Sequence, residues 1–259
     1  MVKTPEELAL MRISGGLLAS VFEMLDELEL AGMSTMQVND LVEAFITSDL
    51  AARPASKGQY DYKYVLNCSI NDVVCHGIPC AEAIIQDGDI INLDITLEKN
   101  GYITDSSKTY VVGNAPPAAK RLVRVAEAAM WHGIKQVRPG AHLGDIGSAI
   151  ERHAKRNGFS VVREYCGHGI GQQMHEEPSV LNFGRPGTGL KLREGMVFTI
   201  EPMLNQGSRR VVTQDDGWVV VTKDGKLSAQ FEHTVAVTGS GVEVLTLRKD
   251  ETVPFLRTT

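Results

Sequence analysis

The sequence predicts an α+β fold built twice from one plan, an antiparallel sheet facing inward with helices on its outer side. Three observations carry that expectation. First, DGDIINLDITL (87–97) lies without gaps on EGMVFTIEPML (194–204), so that Gly88 matches Gly195, the apolar positions match and Asp94 falls on Glu201. Second, each segment leads towards a turn of one type, Lys99-Asn100-Gly101 and Lys223-Asp224-Gly225. Asn-Gly or Asp-Gly between apolar runs is the strongest short hairpin signal. Third, helices and strands do not alternate as parallel βαβ units do.

A helix opens at Thr4-Pro5, with Glu6 and Glu7 in a first turn where negative charge suits the dipole, and apolar spacing extends it over 5–30. A second is expected over 35–51. Its leading phrase, Gly32-Met-Ser-Thr-Met-Gln-Val38, is answered by Gly140-Ala-His-Leu-Gly-Asp-Ile146 ahead of a helix over 143–157. A fourth spans 117–137. Strands are expected over 64–70, 90–97, 102–112, 161–166, 196–204, 210–221 and 230–238. Asn114-Ala-Pro-Pro-Ala118 is too short to part independent domains. The expectation is one catalytic domain over 1–259, made of pseudo-twofold-related halves at about 5–113 and 117–239.

The 259 residues are 43% hydrophobic and 22% charged, which is ordinary soluble globular composition. A net charge of −6 argues against a bulk nucleic-acid binder, and no direct nucleic-acid motif is present. No apolar run approaches the roughly 20 residues that span a bilayer. The start, MVKTPEELALMRISGG, lacks the parts of a signal peptide. Cys68, Cys75, Cys80 and Cys166 form no C-x-x-C pair and read as reduced thiols of a cytoplasmic protein.

Asp94 sits among Ile90, Ile91, Leu93, Ile95 and Leu97, and Asp105 stands just ahead of Thr109-Tyr110-Val111-Val112. The second copy carries Glu201 and Glu232 in the corresponding places. A buried carboxylate must be paired, protonated or bound to a metal. Any one of these acids alone reads more readily as hydrogen-bonded structure. Repeat-related acids amid apolar residues make coincidence the strained explanation. Four carboxylates facing each other repel strongly, whereas four carboxylates and a neutral imidazole suit two divalent metals. His168, in Cys166-Gly-His-Gly-Ile-Gly171, supplies the imidazole, and its glycines allow close backbone approach. Hairpin arms lie about 4.8 Å apart, so facing acids can reach one ion at roughly 2.0–2.2 Å. Two metals about 3.5–4 Å apart can share a water and lower its pKa towards neutrality. The oxygen-rich set suits Mn, Fe or Co at least as well as Zn. His132, His142 and His153 fall on helices or their caps and read as surface or core residues.

Asn92-Leu-Asp94-Ile-Thr96, Thr104-Asp105-Ser106, Gly167-His168-Gly169-Ile170-Gly171, Thr199-Ile-Glu201-Pro202 and Gln230-Phe-Glu232-His233-Thr234 together resemble the type I methionine aminopeptidases. SINDVVCHGIP (69–79), MHEEPSVLNFG (174–184) and PGTGLKLREGMVFTIEPM (186–203) extend the resemblance, which runs from about Lys3 to Arg248. It implies the duplicated pita-bread fold and removal of N-terminal methionine, by attack of a metal-bound water or hydroxide on the first peptide bond. It implies two divalent ions, drawn from Co, Mn, Fe, Zn and Ni. Asp94 would hold one metal, Asp105 and Glu232 both, and His168 and Glu201 the other. His76 would bond the substrate backbone, His175 the carbonyl oxygen, and Glu201 would also move protons. Tyr62, Asn67, Met174 and Trp218 occupy the substrate-pocket positions, and Thr96, Gln230 and His233 would support the ligands.

The chain departs from the family's pattern at 58–68, where Asn67 stands at the usual cysteine and Cys68 follows, and Met174 replaces a common Phe. The resemblance further implies a preference for small second residues, nascent-chain substrates, transient ribosome contact and a monomer. Two other readings use the same fold, a prolidase-like Xaa-Pro peptidase and a non-catalytic binding protein. The first usually carries an extra N-terminal domain, and the second has no reason to keep five ligands and two auxiliary histidines.

Overall fold

The structure is a computed structural model and describes residues 2–255. Four α-helices form, α1 (Pro5–Asp26), α2 (Thr35–Ala44), α3 (Pro117–Ile134) and α4 (Leu143–Arg156). Capping boxes start the first two. Thr4 Oγ1 accepts from the Glu7 amide while Glu7 accepts from the Thr4 amide, and Ser34 with Gln37 repeats the exchange.

A nine-stranded sheet runs through both halves of the chain. At its centre, Ile90–Lys99 and Tyr102–Val111 form an antiparallel hairpin closed by Asn100 and Gly101, with φ of 55° and 80°. Positive φ at both central residues is what a tight hairpin turn requires. Tyr102–Val111 pairs across the seam between the halves with Glu232–Thr238, which pairs in turn with Val197–Ile200. Leu66–Ile70 flanks the first pair and Gly167–Gly169 the second. The order is therefore symmetric about the seam, as the repeat in the sequence predicts.

Strand alternation separates core from cavity. Ile91, Leu93, Ile95 and Leu97 pack with Leu18, Phe22 and Leu25 of α1 and Val38 and Val42 of α2. Phe198, Ile200, Val235 and Val237 pack with residues of α3 and α4, among them Leu122, Met130 and Ile150. Asp94, Thr96 and Glu232 line a cavity on the other face.

Several boundaries differ from expectation. The first helix stops at Asp26, and Leu30 then folds back into the core. After α2 the backbone widens into a π-turn, Phe45–Asp49, which keeps Ile46 buried. The expected strand 196–204 is two strands, because Pro202 has no amide to continue the ladder. Met203–Asn205 instead pairs with Ser228–Gln230 and Ser160–Val161. Asp224-Gly225 closes no hairpin of the main sheet, since Val220–Thr222 before it pairs with Val211–Thr213 and Val73–Cys75 in a third sheet. One further correction concerns α1, whose 22 residues are long and apolar enough to cross a membrane by length and composition. Its apolar side, including Met11, Leu18, Val21, Phe22 and Leu25, is buried within the fold.

Candidate active site

A cavity of about 620 Å³ opens on the inner face of the sheet. Twelve of the fourteen residues singled out in the sequence line it: Tyr62, Asn67, His76, Asp94, Thr96, Asp105, His168, Met174, His175, Glu201, Trp218 and Glu232. No Lys or Arg stands among its described lining residues.

Each candidate ligand is placed by its strand. Asp94 lies between Asn67 and Ser107 on the flanking strands, with Asn67 Nδ2 3.4 Å from its Oδ2. Asp105 is fixed at its backbone, where its amide donates to Thr234 Oγ1 at 3.0 Å and its carbonyl accepts from that hydroxyl at 2.8 Å. Glu232 stands opposite Ser107. Glu201 follows the last residue of Val197–Ile200, and its Oε1 accepts from Thr199 Oγ1 at 2.8 Å. The same threonine oxygen accepts the His168 amide at 3.0 Å.

His168 is aimed by a short flat strand. A Cβ on Gly167 would stand 2.4 Å from the Thr199 carbonyl oxygen, and one on Gly169 2.1 Å from that of Glu177, so both positions need glycine. His168 Nδ1 lies 3.0 Å from the Gly169 carbonyl, which can only accept, so Nδ1 carries the proton. Nε2 then presents its lone pair to the cavity, 3.8 Å from Asp105 Oδ2 and 3.6 Å from Glu201 Oε1. Asp105, His168 and Glu232 each offer a ligand atom within 4.8 Å of the others.

The electrostatics are those of an acid cluster lacking a counter-charge. Burial pushes Asp94 up to about 6 and Glu201 up to about 8. Burial and then the neighbouring carboxylates raise Asp105 and Glu232 well above the usual range. Asp94 shares a hydrogen bond with Asp105, and Glu201 with Glu232. Asp105 Oδ1 and Glu232 Oε1 are buried and have no hydrogen-bond partner among the described residues. Four carboxylates converging with an imidazole lone pair and two orphaned oxygens fit a divalent cation, whose charge removes the repulsion.

Around this cluster stand two more imidazoles. The His175 ring is 4.4 Å from that of His168, edge to face. His76 has a φ of 59°, and its ring lies 5.3 Å from Trp218 and 5.5 Å from Tyr165. Burial lowers both imidazoles, helped at His76 by the charge of His175, so each presents one N–H near neutral pH. Trp218 stacks on Tyr62 at 5.2 Å and forms, with Met174, an apolar wall.

Gln230 and His233 lie elsewhere. Gln230 is buried, and its backbone carbonyl accepts from Asn92 and Thr109. His233 follows Glu232 on its strand and so faces the helices. Its Nδ1 is 2.9 Å from Thr246 Oγ1 and its Nε2 is 3.2 Å from Glu251 Oε2. Neither lines the cavity, and for His233 the reason is that neighbouring strand residues point to opposite faces. Tyr60, Tyr165 and Cys166 also line the cavity and were not singled out for it by the sequence. The His132 and His153 rings meet at 4.3 Å, tilted, between α3 and α4, and His142 stands at the N-cap of α4, as surface or core residues should.

Fold and site are those of a metallopeptidase, and residues 9–239 match the model of metallopeptidase family M24. The methionine aminopeptidase of Escherichia coli K12 is 45% identical over 255 residues, covering 98% of this chain and 97% of that protein. Methionine aminopeptidase B of Synechocystis is 48% identical over 246 residues, 93% and 89% of the two chains. The crystal structure of methionine aminopeptidase from Rickettsia prowazekii superposes with a TM-score of 0.93 at 45% identity, over 95% of this chain and 99% of that one. Prolidase from Pyrococcus furiosus gives 0.74 at 22% identity, over 96% of this chain and 66% of that one, which is a likeness of fold alone. The chain belongs to the methionine aminopeptidases of metallopeptidase family M24.

Proposed function

We propose that this protein removes the N-terminal methionine from peptides and newly made proteins, with a preference for small second residues. The observation that carries the reading is one cavity uniting four carboxylates and His168, which could ligate metal, with two further histidines and an apolar wall. The relatives' name for their activity supports the substrate. The two halves, about 5–113 and 117–239, act as one catalytic unit, since each contributes ligands. Asp94, Asp105, His168, Glu201 and Glu232 would hold the divalent ions, Asp94 on one side of the cluster, His168 and Glu201 on the other, with Asp105 and Glu232 between them. When bound, such ions supply the Lewis acidity that polarises a carbonyl and acidifies water.

The remaining work belongs to the chain. Glu201 takes a proton from the attacking water and returns it to the leaving amine. His175 donates to the scissile carbonyl oxygen as negative charge develops there. His76 hydrogen-bonds the substrate backbone near the scissile bond. Asp94 meets the free α-amino group, which restricts cutting to a chain terminus. Tyr62, Met174 and Trp218 enclose the methionine side chain, with the Asn67 amide at the pocket's edge. Thr96 supports the ligands from the same cavity face. The ions are drawn from Mn, Fe, Co, Zn and Ni. We further propose a cytoplasmic monomer that meets chains as they leave the ribosome.

Protein purified without added ions, analysed for metals and assayed on Met-Ala-Ser and on Xaa-Pro peptides, tests the reading. Turnover of Met-Ala-Ser with one of these metals is expected. Failure with all of them, or a preference for Xaa-Pro, overturns it.

A further inference from the structure

The two halves of the sheet are joined by very little backbone. Within the first half, the Ile90–Lys99 hairpin has ten paired positions, from Ile90 with Val111 to Lys99 with Tyr102. Across the seam only two positions pair, Glu232 with Ser107 and His233 with Ser106. Asp105 and Glu232, the proposed bridging ligands, lie on opposite sides of that seam. Side-chain ties must therefore fix their separation.

Thr234 Oγ1 supplies one tie, bonding both the amide and the carbonyl of Asp105, and a second set converges on one cation. Arg248 has a fully buried side chain directly behind the seam. Its Nη2 donates to Ser106 Oγ at 2.8 Å and to the Ser107 carbonyl at 2.9 Å. Ser106 Oγ passes the contact on, donating to the Glu232 carbonyl at 2.7 Å. Arg248 Nη1 donates to Glu251 Oε1 at 2.8 Å, and the other Glu251 oxygen lies 3.2 Å from His233 Nε2. The guanidinium also rests over Phe22 of α1 at 4.4 Å, while Trp131 of α3 packs on His233 at 5.2 Å. One ion pair thus touches a strand from each half and a helix side chain on α1.

We propose that Arg248 and Glu251 are positioning residues of the metal centre, fixing the seam so that Asp105 and Glu232 stand at ligating separation. The inference rests on the reading of the centre given above. Stability alone is a poor reason for the pair, because apolar replacement of a buried ion pair is often neutral or stabilising. The fork geometry of a guanidinium is what allows contact with Ser106, Ser107 and Glu251 together, and a lysine cannot reproduce it.

Three variants test this: Arg248→Lys, the apolar double replacement Arg248→Met with Glu251→Leu, and Ser106→Ala. Each is stripped of metal and titrated calorimetrically with Mn²⁺, alongside thermal unfolding and steady-state kinetics on Met-Ala-Ser. The expected result is Mn²⁺ affinity about tenfold weaker, the usual cost of disturbing groups behind a metal's ligands. kcat falls while KM holds, and in the double variant the unfolding midpoint stays near that of the parent. Should the double variant fail to fold, Ser106→Ala carries the test, since it cuts the link to the Glu232 carbonyl and leaves the ion pair. Parent-like Mn²⁺ affinity in the folded variants overturns the proposal and leaves the function standing. A parent protein that binds no Mn²⁺, Co²⁺ or other divalent ion overturns both.

Discussion

Asp105→Asn removes one negative charge from the cavity and keeps the side chain's shape. Turnover of Met-Ala-Ser and stoichiometric metal binding should be lost with an unchanged far-UV spectrum. The metal-free variant should melt above the metal-free parent, because a buried charge facing other acids has gone. Robust cleavage by this variant removes Asp105 from the chemistry. The acids also set a pH dependence. Glu201 rises from 4.5 to about 8 and Asp94 from 3.8 to about 6, so between the ordinary and raised values the folded chain binds more protons than the unfolded chain. Stability of the metal-free protein is then greatest below the ordinary values and falls as pH rises from about 4 to about 8. The gain in melting temperature on adding Mn²⁺ should grow over the same interval, and a flat gain contradicts the assignment. That the four acids share one cavity was legible because a carboxylate in an apolar strand costs energy unless something requires it, and His168 was legible from the glycines around it. His76 and His175 came only through the family resemblance, since a lone histidine in a loop has many uses. Arg248 was illegible because arginine is usually a surface residue and its Ser106 and Ser107 partners lie 142 and 141 positions away.

Among the elements, α1 offers the sharpest contrast. A Cβ on Gly15 would lie 2.2 Å from the Leu245 carbonyl oxygen, whereas one on Gly16 meets nothing within 4 Å. Gly16→Ala should stabilise by up to about 1 kcal/mol through helix propensity. Gly15→Ala should destabilise by on the order of 1–2 kcal/mol, because backbone cannot yield as a flexible side chain does. Urea unfolding of the two variants measures the difference, and equal effects contradict the close approach. The same elements bound what pattern could reveal. Helices with capping boxes, and the hairpin at Asn100-Gly101, follow from local rules and were found within a few residues. Gly167–Gly169, Glu176–Val180 and Val73–Cys75 are short, glycine-bearing or polar, and take their pairing from distant partners. No local periodicity marks them. The Lys223-Asp224-Gly225 turn carries the hairpin signature yet joins two different sheets, so tertiary pairing overrode the local preference.

In the whole molecule, the cavity is walled from both sides. Tyr62, Asn67 and His76 come from the first half, and Met174, His175 and Trp218 from the second. On the proposed preference for small second residues, Met-Ala peptides should be cut far faster than Met-Leu peptides. Equal rates would contradict that preference. Trp218→Ala removes the ring that stacks on Tyr62 and lies beside His76, and should raise KM for Met-Ala-Ser several-fold with a smaller effect on kcat. The stretch from Leu245 to Glu251 threads between α1 and the seam, with the Leu245 amide bonded to the Thr234 carbonyl at 2.9 Å. It is translated after every proposed ligand. A chain made only as far as Glu232 therefore carries every proposed ligand before the proposed brace of Arg248 and Glu251 exists, so on this reading alignment of the site waits for the last residues to be made.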